Sequence, residues 1–156
     1  MNINDIVTEL QTVANADAAI KSFIYGDISE VNNQRGKNYP LLLVDRNVTS
    51  RSVDLRGKKA IYTFRLFFYE LFQRTQDAQD IDQSYQQSLE KVINEYIQEI
   101  HRRSKVTIGD VYRVNNYEAL SYAYSFYKAN DMLQQINVNL EIIATLDCET
   151  GVFNYD

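Results

Sequence analysis

The chain has 156 residues, 45% of them hydrophobic and 24% charged, and a formal net charge of −5. That is enough chain for one domain with its own core, and the acidic balance argues against holding nucleic acid through its phosphates, which takes clustered Lys and Arg. One Cys, Cys148, excludes an intramolecular disulfide, one His, His101, excludes a multi-histidine metal site, and no apolar run reaches the ~18 residues that a membrane span needs.

A lone Cys suits a reducing compartment, or a particle built in one. The opening M-N-I-N-D-I is polar and acidic, unlike a signal peptide. The aromatic residues are 12 Tyr and 7 Phe with no Trp. Tyr is enriched both in strands and at protein interfaces, so its abundance alone does not separate the two uses.

Taken in order, Asn4 and Asp5 are cap residues for a helix with Ile6, Leu10 and Val13 at helical spacing, fading near Asp17. Ser22–Val31 mixes aromatic and β-branched residues around Gly26, which permits a bend or bulge. Asn32–Asn38 is a polar turn, and Pro40 opens a strand over Tyr39–Arg46, central by its Leu41-Leu42-Leu43-Val44 run.

Residues 47–59 hold Arg51, Arg56, Lys58 and Lys59 against one acid, Asp54. A hairpin loop usually takes about 2–5 residues. The segment reads as a solvated loop, as the flanking strands running on in a ribbon, or as a projecting arm that docks on an acidic neighbour.

Ala60–Phe72 is the most telling stretch. Tyr62, Phe64, Leu66 and Phe68 alternate with Ile61, Thr63, Arg65, Phe67 and Tyr69, and side chains on a strand alternate between faces. The first set predicts a core face. The second is half aromatic, more than a solvated face needs. At roughly 3.3 Å per residue the run spans about 40 Å. This predicts a strand that overhangs its own domain, with Arg65, Phe67 and Tyr69 meeting another subunit.

A long amphipathic helix follows, with Ile81, Tyr85, Leu89, Val92, Ile93, Tyr96, Ile97 and Ile100 in one stripe. Asp77, Asp80 and Asp82 lie near its start and His101, Arg102 and Arg103 at its end, which suits the helix dipole. Val106–Val114 is a weaker strand. Leu120, Tyr122, Tyr124 and Phe126 alternate with small residues as a strand with one bulky face; a helix through Leu120, Tyr124 and Tyr127 is the other reading. After a turn at Lys128–Asp131, the residues Ile136, Val138, Leu140, Ile142, Ala144 and Leu146 mark a second long strand. The tail 148–156 is acidic and carries Phe153 and Tyr155, either as a frayed end or as an apolar segment that adds to a neighbour. The order predicts an α+β fold: a mainly antiparallel sheet with an N-terminal helix and one long amphipathic helix packed on it, in a single domain over 1–156.

Catalytic chemistry has little foothold. His101 is explained by its place at a helix end, and Cys148 has no basic neighbour in sequence to lower its pKa. No phosphate-cradling glycine motif occurs, and the aspartates at 77–82 lack the glycine and terminal Glu of a calcium loop. An enzyme would need convergent carboxylates, such as Asp110 or Glu141, near His101. No cofactor or metal is expected.

The segments F-I-Y-G-D-I-S-E, Y-P-L-L-L-V-D and Y-T-F-R-L-F-F-Y, then the acidic lead into a long helix and the closing N-D-M-L-Q-Q-I-N-V-N-L-E-I, follow one another over Phe23–Leu146. In that order and spacing the chain resembles the tail-terminator and tail-completion (neck) proteins of tailed bacteriophages. It is similar in character to the neck-ring proteins of crAss-like gut phages, with residues 47–59 as a departure. The resemblance implies a structural virion protein assembled in the host cytoplasm. It implies a homo-oligomeric ring, six- or twelve-fold, in contact with portal, connector and tail ring proteins. DNA would pass through its lumen without specific binding and no membrane would be involved. The expected subunit contacts are Arg65, Phe67 and Tyr69, the arm residues Arg51, Asp54, Arg56, Lys58 and Lys59, and Phe153 and Tyr155 of the tail. The alternative is a monomeric adaptor that binds an extended peptide by β-strand addition.

Overall fold

Asn2, not Asn4 or Asp5, caps the first helix, α1 (Ile3–Ala16). Its Oδ1 accepts from the Asp5 N–H at 2.9 Å while its own N–H donates to Asp5 Oδ2 at 2.9 Å. This is a reciprocal capping box, and it makes Asp5 the third helical residue. Ile6, Leu10 and Val13 are buried as expected, with Val7 and Ala14. The computed structural model describes residues 2–33, 38–71, 78–106, 112–128 and 132–145, with the backbone alone at 32, 33, 48, 78–87, 106, 126–128 and 132.

β1 (Ser22–Gly26) stops at its glycine, and the chain turns into a one-turn helix, α2 (Glu30–Asn33). A Cβ on Gly26 would overlap the Glu30 carboxylate, so only glycine lets that side chain close over the strand end. β2 (Leu41–Asp45) is buried at all five positions. It lies between β1 and a later strand, which explains its unbroken apolar run.

Residues 47–59 form a ribbon rather than a loop: a 3-10 turn (Arg46–Val48), then β3 (Ser50–Asp54), then a four-residue turn into β4 (Lys59–Leu71). The long helix α3 runs Ala78–Val106, past the expected end at 101–103. β5 (Tyr112–Val114) is shorter than the expected strand over 106–114, whose residues 107–111 lie outside the described ones. Residues 122–128 form a strand, β6, rather than a helix, and β7 (Met132–Thr145) begins before the Ile136 at which its alternation starts.

One sheet holds all seven strands, in the order β1-β2-β4-β7-β5, with β3 also on β4 and β6 also on β7. Only β1 and β2 pair in parallel. The fold is therefore α+β with a mixed, mostly antiparallel sheet. β4 and β7 stay in register from Lys59↔Thr145 to Leu71↔Leu133.

Here the overhanging strand is corrected. On its other side β4 is paired by two strands in tandem, β3 along Lys59–Thr63 and β2 along Leu66–Tyr69. β5 and β6 divide β7 in the same way. The two long strands are the shared spine of a sheet whose flanks are built from short pieces. That accounts for their length without a second subunit.

The face that carries Tyr62, Phe64, Leu66, Phe68, Ile136, Val138, Leu140 and Ile142 packs under α1 and α3. From α3 it meets Leu89, Ile93, Tyr96, Ile97 and Ile100, all buried and all in the predicted stripe; Val92 is half-buried, and the side chains of Ile81 and Tyr85 lie outside the described residues. The side chains of Asp80 and Asp82, and the whole of Asp77, likewise lie outside them.

Three elements are tied by charge at one corner. Arg103 of α3 donates from Nε (2.6 Å) and from a terminal nitrogen (3.1 Å) to the two Glu9 oxygens of α1, and the Tyr112 hydroxyl of β5 donates to Glu9 Oε1 at 3.0 Å. The Arg103 bonds hold the Glu9 carboxyl below its ordinary 4.5, with Tyr112 assisting and burial opposing. A carboxyl depressed in the folded state stabilises above its unfolded pKa, and that contribution goes as pH falls through the folded value. Glu9→Gln is therefore expected to lower the urea midpoint near pH 7 and to lower it much less near pH 3. An equal loss at both would show that the ion pair contributes nothing beyond packing.

A candidate assembly surface

The root of the β3–β4 hairpin is fixed by polar contacts. Asp45, 4% exposed, accepts from the Asn47 N–H through Oδ1 at 2.9 Å, and its carbonyl accepts from the Thr49 hydroxyl at 3.1 Å. The Asn47 amide in turn donates to Asp27 Oδ2 at 3.0 Å. Farther out, the Arg51 guanidinium lies 5.9 Å from the Tyr62 ring centroid, within range of a cation–π contact.

At the tip, Asp54 Oδ1 accepts from the Gly57 N–H at 3.0 Å and Lys58 takes a left-handed φ of 52°. The arm's one acid is thus engaged in shaping its own turn. Arg56, Lys58 and Lys59 are exposed, and none has an ion-pair partner among the described residues. Leu55 at the tip is 78% exposed and Val53 39%. Neither apolar residue was anticipated, although a leucine inside the polar string S-V-D-L-R-G-K-K was a visible signal.

The second face of the sheet divides into two. Toward β1 and β2 it is closed: Phe67 is 3% exposed and Tyr69 is fully buried, packed with Ile24, Val31, Leu41, Leu43 and Leu133, with Ile28, Tyr39 and Leu71 at the margin. Phe67 and Tyr69 are therefore removed from the expected subunit contacts. They belong to a second, smaller core inside this chain, which the β1–α2 segment covers.

Toward β3 and β5 the same face is open: Ile61, Thr63, Arg65, Glu141 and Ile143 are half-buried and Asn139 is exposed. Arg65 lies where β2 ends and β3 begins. An open cleft beside this region is lined by Lys59, Arg113, Asn115, Ile143 and Thr145. Phe153 and Tyr155 lie outside the described residues, as do Cys148 and the rest of the tail.

Of the two carboxylates considered beside His101, only Glu141 is among the described residues, and it lies on the opposite face of the sheet. Asp110 lies outside the described residues, and the Glu141 carboxylate, on the open face, accepts from Asn115 Nδ2 at 3.0 Å. His101, on the helix-covered side, stacks on Tyr117 with ring centroids 3.8 Å apart. Burial lowers its pKa, with nearby Lys105 adding to the effect. Tyr122, whose hydroxyl donates to Asn94 of α3, is pushed up to about 12, mainly by burial. Among the described residues no three His, Cys, Asp or Glu are grouped to hold a metal, and no helix is long and apolar enough to cross a membrane. No protein-family model and no curated protein matches this sequence.

Proposed function

We propose that this chain is a structural subunit of a tailed-phage virion. Copies of it form a six- or twelve-fold ring in the neck or tail that joins the head connector to the tail, with the genome passing through the centre. The role is architectural, without catalysis or cofactor. One observation carries the reading: among the described residues, a sheet capped by helices on one face leaves half of its other face only partly covered, and that half is bordered by β3, an edge strand exposed at all five positions, with a preformed turn at its tip. Such a surface suits lateral contact between like subunits. The order of elements, with two long strands and one long helix, supports it through the resemblance to tail-terminator and neck proteins. The net charge of −5 supports it too, since an acidic ring lets duplex DNA slide rather than adhere.

Imaging of the particle tests the proposal. A reconstruction is expected to place the chain in a symmetric collar around the channel; its absence from the virion, or its presence as isolated copies, would end the reading.

The alternative is a monomeric adaptor, favoured by the outer edge of β3, which has no strand partner among the described residues. Such a protein would stay monomeric by light scattering and would bind one extended peptide.

A further inference from the structure

We infer that the β3–β4 hairpin is the connector between copies, its basic tip seated on an acidic surface of a second copy with Leu55 as the apolar anchor. This rests on the ring reading and names the contact through which the ring closes.

The charge balance singles out the partner. The chain carries −5 in total, while residues 47–59 hold Arg51, Arg56, Lys58 and Lys59 against Asp54. The hairpin is thus +3 and the rest of the chain −8, so one copy presents both halves of a complementary pair. Asp54, turned onto the Gly57 N–H, is the one carboxylate of the hairpin, so its four cations keep a surplus of positive charge, and none of Arg56, Lys58 and Lys59 forms an ion pair among the described residues. The tip is also preformed, with its root pinned through Asp45 and Asn47, so little ordering entropy is lost on docking. Leu55 at 78% exposure and Val53 at 39% favour a protein surface over phosphates, which offer them nothing. The acidic remainder of the chain would repel a nucleic acid brought to the same place.

The test uses the full chain, mixed from unlabelled and nitrogen-15-labelled protein and joined with a zero-length carbodiimide. Mass spectrometry is expected to find mixed-isotope links from Lys58 or Lys59 to Asp or Glu. Arg56→Glu and Leu55→Asp are each expected to weaken self-association by about tenfold or more with circular dichroism unchanged, the first variant losing its effect in high salt. Same-isotope links alone, or variants that associate like the parent, would overturn the inference. So would binding of duplex DNA that Arg56→Glu abolishes while self-association persists, because the hairpin would then be a nucleic-acid contact. A ring seen in the particle without hairpin links would refute the docking and leave the ring; hairpin links in a chain absent from any collar would do the reverse.

Discussion

Phe67→Asp and Tyr69→Asp are each expected to destabilise the chain by about 5 kcal/mol or more, as severely as Phe64→Asp or Phe68→Asp on the opposite face. The two rings lie 6.4 Å apart at an interplanar angle of 14° and are closed over by Val31, Leu133 and their neighbours. An aspartate at either position removes an aromatic from a packed site and leaves a carboxylate without solvent or a designed partner. Against a typical domain stability of about 5–15 kcal/mol, such a loss leaves little or no folded protein. Urea unfolding followed by circular dichroism is the measurement. A Phe67→Asp protein that folds within about 1 kcal/mol of the parent, yet fails to assemble, would mean that this half of the sheet faces another subunit after all.

Tyr96→Ala is the second large loss, expected at about 3–5 kcal/mol. Tyr96 is fully buried in the main core, its ring edge-on to Phe68 with centroids 5.9 Å apart. Its hydroxyl donates to the Leu10 carbonyl at 2.8 Å, tying α3 to α1 across 86 residues of sequence. Burial raises the pKa of the hydroxyl well above its ordinary value, so the donor stays protonated across the working range. Tyr96→Phe keeps the ring and deletes only the donor, leaving a buried carbonyl short of one partner, and should cost about 1–3 kcal/mol. If both variants cost the same, the hydrogen bond would be carrying the whole effect and the edge-on packing none of it.

These two sites behave differently from one another in how they can be read from sequence. Tyr96 falls in a stripe of apolar residues at intervals of three and four, and a stripe of that kind has one outcome in a small domain: it lies on the sheet. Phe67 and Tyr69 fall on a face whose fate is undecided locally, because Thr63 and Arg65 share it. The same uncertainty attended the hairpin. Its basic composition was plain, but whether residues 47–59 formed a loop or a ribbon depended on finding a partner in the first half of β4. Leu55 was overlooked because a single apolar residue in a polar turn has no period to mark it.

Binary patterning by itself determined the α+β class, the two long strands with their core-facing residues, and the inner face of the long helix, since period-two and period-3.6 alternation are properties of adjacent residues. Only the tertiary structure decided that β4 and β7 pair with each other from end to end of β4 and are flanked by short strands in tandem, and that half of the second face is roofed by the chain's own Ile28 and Val31. Alternation says that a strand has two faces; which of them is covered depends on where distant segments come to rest, and no local period records that.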